Sequence, residues 1–226
     1  MYAIIKHQID LFTAAVMLVL LSPLLLPLML VLRLTGEGEI WYKQTRVGYK
    51  NQYFKIWKFA TMLRNSPNMG TGSLTVRNDP RVTPAGKYLR KSKLNEVPQL
   101  INVFLGDMSF VGPRPQMEVD FMAFPEPVRE FIYNVKPGIT GIGSIVFRDE
   151  ERMLSHSDLP PRQVYERYIA PYKGELERWY QQHFSFRTDF LLLFLTFWVV
   201  FFPNSNLVYR VFRDLPPMPE ELKALT

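Results

Sequence analysis

The sequence predicts a mixed α/β unit attached to a membrane: an N-terminal apolar segment that enters the bilayer and turns back, amphipathic helices at the interface, and a small globular head. Two observations lead there. Leu11 to Leu32 carries no charged residue yet holds Ser22, Pro23 and Pro27 at its centre, and residues 33 to 64 follow it with seven Lys or Arg against two Glu. Basic residues directly after an apolar run suit an anionic membrane surface.

The apolar run has 22 residues, which is enough to span a bilayer at about 1.5 Å rise per residue. Each internal proline removes a backbone donor and clashes with the preceding turn, so a kink or break is expected at Ser22-Pro23. Two halves of about ten residues can enter and return, leaving both ends on one face. Lys6 and His7 before the run and Arg33 after it fit that arrangement. The run is long for a signal peptide, no small-residue cleavage site follows it, and Asp10 abuts it. The expected organisation is a re-entrant hairpin over residues 1–34 and one head over residues 35–226.

Residues 40–62, IWYKQTRVGYKNQYFKIWKFATM, interleave aromatic and basic residues around a Gly-Tyr-Lys-Asn turn and predict a strand pair leading into a helix. At the foot of a membrane segment, amphipathic rings and snorkelling lysines account for this pattern more simply than single-stranded nucleic acid does. Residues 65–80 are polar and rich in Gly, Ser and Asn, and read either as a lid or as a surface loop. From Arg81, apolar residues recur at helical spacing around Pro98, which suits a first helical turn with Asn95 as its N-cap. VGPRP at 111–115 and VKPGITGIG at 135–143 predict rigid turns that present Arg114 and Arg148. Phe190 to Phe202 is apolar but too short to span, so it lies in the interface or packs as a core helix. The proline-rich tail from Pro216 is expected on the surface.

Composition narrows the chemistry. The 226 residues include no cysteine and three histidines, which excludes disulfide scaffolds, thiol nucleophiles and cysteine-ligated metal. Carboxylates, hydroxyls and cations remain. The formal charge of +6 suits phosphorylated ligands and anionic lipid.

From SPLLLPLMLVLRLTGEGEIWYKQTRVG through KIWKFATM, NDPRVTPAGKYLRKSKLNEVPQLINVFLGDMSFVGPRP and VKPGITG, the chain resembles the monotopic polyprenyl-phosphate phosphoglycosyl transferases, bacterial enzymes that begin glycoconjugate assembly. The resemblance implies a re-entrant helix broken at Ser22-Pro23 and an α/β active site on the cytoplasmic face of the bacterial inner membrane, using Mg2+. It implies transfer of a phospho-sugar from a nucleotide diphosphate sugar to polyprenyl phosphate, usually through a covalent phospho-sugar on aspartate. By motif position, Arg90, Arg114, Arg148 and Lys58 would hold phosphates, Glu96 matches the second acid of an Asp-Glu pair, and Asn95 with Glu96 would hold the metal. Membrane lipids are expected partners, a homodimer is permitted, and nucleic acid is not expected.

At the position of the usual nucleophile the chain reads Leu94-Asn95-Glu96-Val97-Pro98-Gln99 in place of L-D-E-[LV]-P-Q. An amide oxygen can ligate metal but is not expected to form an acyl phosphate. Ala60 stands where a basic residue is common, and GIGSIVFRDEE replaces the usual residues after PGITG, adding Asp149, Glu150 and Glu151. Several departures together suggest a natural variant branch. Three readings follow. The first is transfer by another route, with Glu96 as nucleophile or base or with Asp149 or Glu150 supplying the acid; the alternatives are a binding homologue without turnover and a hydrolase.

Overall fold

The computed structural model describes residues 1–69, 74–76, 78–157, 159–203 and 205–224. Helix α1 (Tyr2–Leu34) is apolar on all sides, and only Asp10, Ala14 and Leu32 in it are buried by protein. By length and composition α1 is long and apolar enough to enter or cross a membrane. Helical geometry continues through Ser22, Pro23 and Pro27, so the expected break does not divide the segment into two helices. Ser22 Oγ donates to Val19 O at 2.7 Å, which gives that carbonyl a partner just before the prolines. Both ends of α1 are tied to the head. Tyr2 and Lys6 donate to Asp189 Oδ2, each at 2.5 Å, while Leu32 packs with Phe59 and Leu89.

Strands β1 (Trp41–Val47) and β2 (Tyr53–Phe59) form the expected antiparallel pair, with Trp41 opposite Phe59 and Val47 opposite Tyr53. Lys50 and Asn51 have φ of 52° and 58°, the left-handed conformation that the tight turn requires. No helix follows at once; β2 leads into the 65–80 loop. Gly70 to Ser73 and Arg77 of that loop lie outside the described residues, so the lid reading is not addressed there. Its described parts gather around buried Arg81, which donates to Ser66 O at 3.2 Å, Met69 O at 3.1 Å and Leu74 O at 2.7 Å, and pairs with Asp79 at 2.6 Å.

Helix α2 (Pro84–Lys91) starts on an N-cap from Thr83 Oγ1, which accepts from Gly86 N at 3.0 Å. Helix α3 (Gln99–Leu105) starts at Pro98, and Asn95 does not cap it. Leu94–Glu96 form a 3-10 turn, and Val97 and Pro98 are already α-helical in φ and ψ. An N-cap must sit in extended conformation beside the first turn, whereas here the tight turn runs on into the helix and leaves Asn95 upstream. Gly106, with φ of 85°, ends α3.

Strands β3 (Ser109–Val111) and β4 (Gly138–Thr140) run parallel, joined by a crossover containing α4 (Glu118–Phe121) and α5 (Glu126–Phe131). The two predicted turns meet back to back: Gly112 N donates to Thr140 O, and Gly138 N donates to Pro113 O, both at 2.9 Å. A Cβ on Gly138 would lie 2.1 Å from Gly112 N, so the approach requires glycine.

Five short or medium helices follow: α6 (Ile142–Val146), α7 (Glu150–Ser155), α8 (Pro161–Val164), α9 (Ala170–Gln182) and α10 (Phe186–Phe201). Between α8 and α9 a π-turn spans Tyr165–Ile169, directly before Pro171, whose missing N–H and ring disfavour regular α-helix. Tyr165, Ile169, Tyr172, Leu176 and Tyr180 from this run make the main core with Leu192 and Leu195 of α10. Helix α10 takes both roles considered for it: Leu192, Leu195 and Val199 are buried, while Phe186, Phe190, Phe194, Phe197 and Phe201 are exposed. Helices α11 (Leu207–Val211) and α12 (Glu220–Lys223) complete the chain. The tail is not wholly superficial, because Leu222 is fully buried and Pro216 O accepts from Tyr172 OH at 2.8 Å. A single turn, Glu220–Lys223, is amphipathic enough to insert that leucine.

Candidate active site

The 94–96 turn, β2 and the VGPRP segment converge on Glu96. Arg114 Nη2 donates to Glu96 Oε1 at 2.5 Å and Arg114 Nη1 to Oε2 at 3.4 Å, a forked geometry suited to carboxylate. Lys58 Nζ reaches Oε1 at 3.3 Å from β2. The Glu96 and Lys58 side chains are only 14% and 15% exposed, so their charges are little screened. Burial alone would raise the Glu96 pKa; Arg114 and Lys58 outweigh it and hold the carboxyl well below its usual range. Burial pushes Lys58 down to about 7, opposed by Glu96 and reinforced by Arg114 and Arg46.

The segment carrying Arg114 is itself clamped. Tyr133 OH donates to Arg114 O and accepts from Gln116 N, both at 2.9 Å. Arg46 Nη1 donates to Pro115 O at 3.2 Å, and its Nη2 bonds Gln44.

Lys58, Glu96, Arg114, Arg46 and Gln116 line a cavity of about 2280 Å³ whose walls also include Met17 and Leu21 of α1 and residues of α6 and α9. Arg90, Arg148, Asn95 and Asp149 also line it. Arg90 is paired with Glu151 at 2.8 Å. Arg148 Nη1 is buried without a hydrogen-bond partner among the described residues, and burial lowers its pKa. Asp149 is exposed and heads α7. Glu150 instead is engaged in the interior, accepting from buried Lys173 Nζ at 2.5 Å. The structure therefore gathers Lys58, Glu96 and Arg114 into direct contact, sets Asn95, Arg90 and Arg148 on the same cavity, and leaves Asp149 at its rim.

Asn95 is buried, and its Oδ1 has no hydrogen-bond partner among the described residues. No group of three His, Cys, Asp or Glu side chains able to hold a metal is present among the described residues. A protein share of two oxygens, Asn95 Oδ1 and Glu96, still suits magnesium, which keeps waters and substrate phosphates as its other ligands. Residues missed from sequence include Arg46, Tyr133, Lys173 and Glu177. Glu177 is buried on α9, near the Gly143 N–H, and burial raises its pKa to about 8. The spacing of Lys173 and Glu177, four apart on a helix, was the one signal available for that pair, and it equally describes a solvated ion pair.

Residues 1–203 match the family model described as bacterial sugar transferase. The chain is 37% identical over 147 residues to a UDP-N-acetylgalactosamine-undecaprenyl-phosphate N-acetylgalactosaminephosphotransferase of Aeromonas hydrophila, covering 64% of this chain and 34% of that one. It is 38% identical over 148 residues to the UDP-glucose:undecaprenyl-phosphate glucose-1-phosphate transferase of Escherichia coli K12, covering 63% and 31%. Against the exopolysaccharide production protein ExoY of Rhizobium meliloti it is 35% identical over 159 residues, covering 64% and 70%. The matches thus span about a third of the first two relatives and most of the third.

Proposed function

The chain belongs to the bacterial sugar transferase family, and from that premise we propose that it transfers a phospho-sugar from a nucleotide diphosphate sugar to polyprenyl phosphate at the membrane surface. The observation carrying this reading is the single cavity that joins the Lys58–Glu96–Arg114 cluster to the apolar side chains Met17 and Leu21 of the membrane helix. A diphosphate needs the cations, and a lipid phosphate needs its chain in hydrocarbon while its head reaches the same cations. The attachment of both ends of α1 to one head supports a re-entrant, monotopic insertion, and the seven Lys or Arg of residues 33 to 64 support a head on the cytoplasmic face.

Asn95 does not supply an acyl-phosphate nucleophile, and the Glu96 carboxylate, held well below its usual pKa by Arg114 and Lys58, is a weak nucleophile. We therefore assign direct transfer: an oxygen of the lipid phosphate forms a bond to the sugar-bearing phosphorus as the bond from that phosphorus to the bridging oxygen breaks, releasing nucleoside monophosphate. Glu96 orients Arg114 and Lys58 so that their remaining N–H donors face the diphosphate, and Arg148 offers an unpartnered donor. Magnesium bound with the diphosphate, held by Asn95 Oδ1 and Glu96, would offset phosphate charge.

The test is UMP release by protein in lipid nanodiscs supplied with UDP-sugars, magnesium and undecaprenyl phosphate. Release that depends on the lipid is expected. Release without lipid would mean hydrolysis, and no release with any donor would mean a binding homologue. Intact mass after incubation with donor alone should show unmodified protein; a phospho-sugar adduct would replace the direct route with a covalent one.

A further inference from the structure

Five side-chain atoms that are buried without a hydrogen-bond partner among the described residues belong to residues lining the same cavity: Asn95 Oδ1, Ser144 Oγ, Arg148 Nη1, Tyr165 OH and Glu177 Oε2. Buried polar atoms in native proteins are nearly always paired, so such a concentration marks a place for a polar ligand or for ordered water. Asn95 and Arg148 belong to the phosphate site. Ser144, Tyr165 and Glu177 lie on a different wall, built by α6, the π-turn and α9, and the mechanism above does not use them. We infer that these three residues form a subsite for the hydroxyl-rich glycosyl part of the donor, recognised by uncharged hydrogen bonds; this rests on the donor reading above.

The chemistry of this wall is unlike that of the phosphate site. A serine hydroxyl and a phenol each donate and accept, as sugar hydroxyls do. Glu177 joins them as a donor when protonated, and its burial favours that form. Lys173, the cation of this wall, is already paired with Glu150, and its Nζ stands 5.2 Å from the centres of both the Phe147 and Tyr165 rings. The wall is thus close to neutral and polar, which suits a sugar better than a phosphate.

Position is enforced by backbone. A Cβ on Gly143 would lie 2.6 Å from Glu177 Oε1, so the glycine admits the carboxyl against α6. The π-turn begins at Tyr165, and widened turns of this kind recur at functional sites.

The test uses the full chain in nanodiscs and calorimetric binding of UMP, UDP-glucose, UDP-galactose and UDP-N-acetylgalactosamine. Tyr165→Phe and Ser144→Ala remove hydroxyls that have no hydrogen-bond partner among the described residues, so neither should lower Tm. Each is expected to weaken the preferred UDP-sugar about fivefold, the size of one lost neutral hydrogen bond, and to leave UMP unchanged. Glu177→Gln, which keeps a donor and an acceptor without charge, should retain the sugar preference that Glu177→Leu loses. Unchanged ratios of UDP-sugar to UMP affinity in Tyr165→Phe and Ser144→Ala would mean the atoms hold water only and would overturn the subsite while leaving the donor reading intact. A wild-type protein that binds none of the three sugar nucleotides overturns both.

Discussion

On the wall formed by β2 and the 94–96 turn, Glu96 is bonded by Arg114 and Lys58; on the wall formed by α6, the π-turn and α9, Ser144, Tyr165 and Glu177 end in buried polar atoms without partners among the described residues. The first wall sets Glu96 against Arg114 and Lys58, because burying an unpaired charge is far more costly than burying an unpaired hydroxyl, and its single carboxylate leaves a net positive charge for phosphate. The second can keep vacant hydrogen-bonding positions because its groups are uncharged or, in Glu177, become so by retaining a proton. Ion pairs thus pre-arrange the phosphate donors, and neutral groups are left to select among ligands.

Removing a member of the charged wall should have the largest effect. Arg114→Ala leaves Glu96 with Lys58 alone and removes a forked donor from the diphosphate, so lipid-dependent UMP release should fall by about 100-fold or more. Arg114→Lys should recover little of it, since a point charge does not reproduce the fork. Activity within about threefold of wild type in Arg114→Ala would place the phosphate elsewhere in the cavity.

Glu177 sharpens the contrast through stability. Its pKa is raised to about 8 in the fold against an ordinary 4.5, so between those values the folded protein holds a proton that the unfolded chain has released. Stability from this group is present below pH 4.5 and declines as pH rises toward 8, the direction linkage requires when the native state binds more protons. Glu177→Gln has no proton to lose, so it should be more stable than wild type by roughly 3 kcal/mol at pH 7, with the gap closing below pH 4.5. Chemical denaturation at both pH values measures it, and an equal gap at the two would mean that Glu177 is ionised when buried.

How much of this contrast is legible in sequence depends on distance along the chain. Residues 40–62 announce their hairpin by alternation and a turn motif, and VGPRP and VKPGITG announce turns. Their union as β3 and β4 does not show, because three-residue strands are too short for a period to appear. Glu96, Arg114 and Lys58 are legible because each lies in a distinctive motif. Lys173 and Glu177 sit among the charges of RQVYERYIAPYKGELERWYQQHF, and nothing in a single sequence sets them against Gly143 or Glu150 rather than solvent. Asn95 is misjudged for a local reason: its 3-10 turn passes directly into α3, so the residue faces the cavity instead of capping the helix.

Lys58 gives a smaller effect on the charged wall. With its pKa lowered to about 7, it is about nine-tenths charged at pH 6 and about one-tenth charged at pH 8, so donor affinity should fall by up to about tenfold from pH 6 to pH 8. Lys58→Arg should remove the component centred near pH 7 and leave the one centred near pH 8 that belongs to Glu177. A profile that keeps its slope in Lys58→Arg would assign the proton to another group.

The smallest effect tests how firmly the charged wall is braced. Tyr133 OH bonds the backbone on both sides of Pro115, accepting from Gln116 N and donating to Arg114 O. Tyr133→Phe leaves those two backbone groups buried without that partner, which should lower stability by about 1–2 kcal/mol. If the phenol also fixes Arg114, KM for the donor should rise about threefold with kcat little changed, because the fork is loosened but its charge remains. The same substitution should leave the ratio among different UDP-sugars unaltered, since that choice belongs to the opposite wall. A change in sugar preference in Tyr133→Phe would show that the two walls are mechanically coupled through the VGPRP segment, and the division drawn between them would fail.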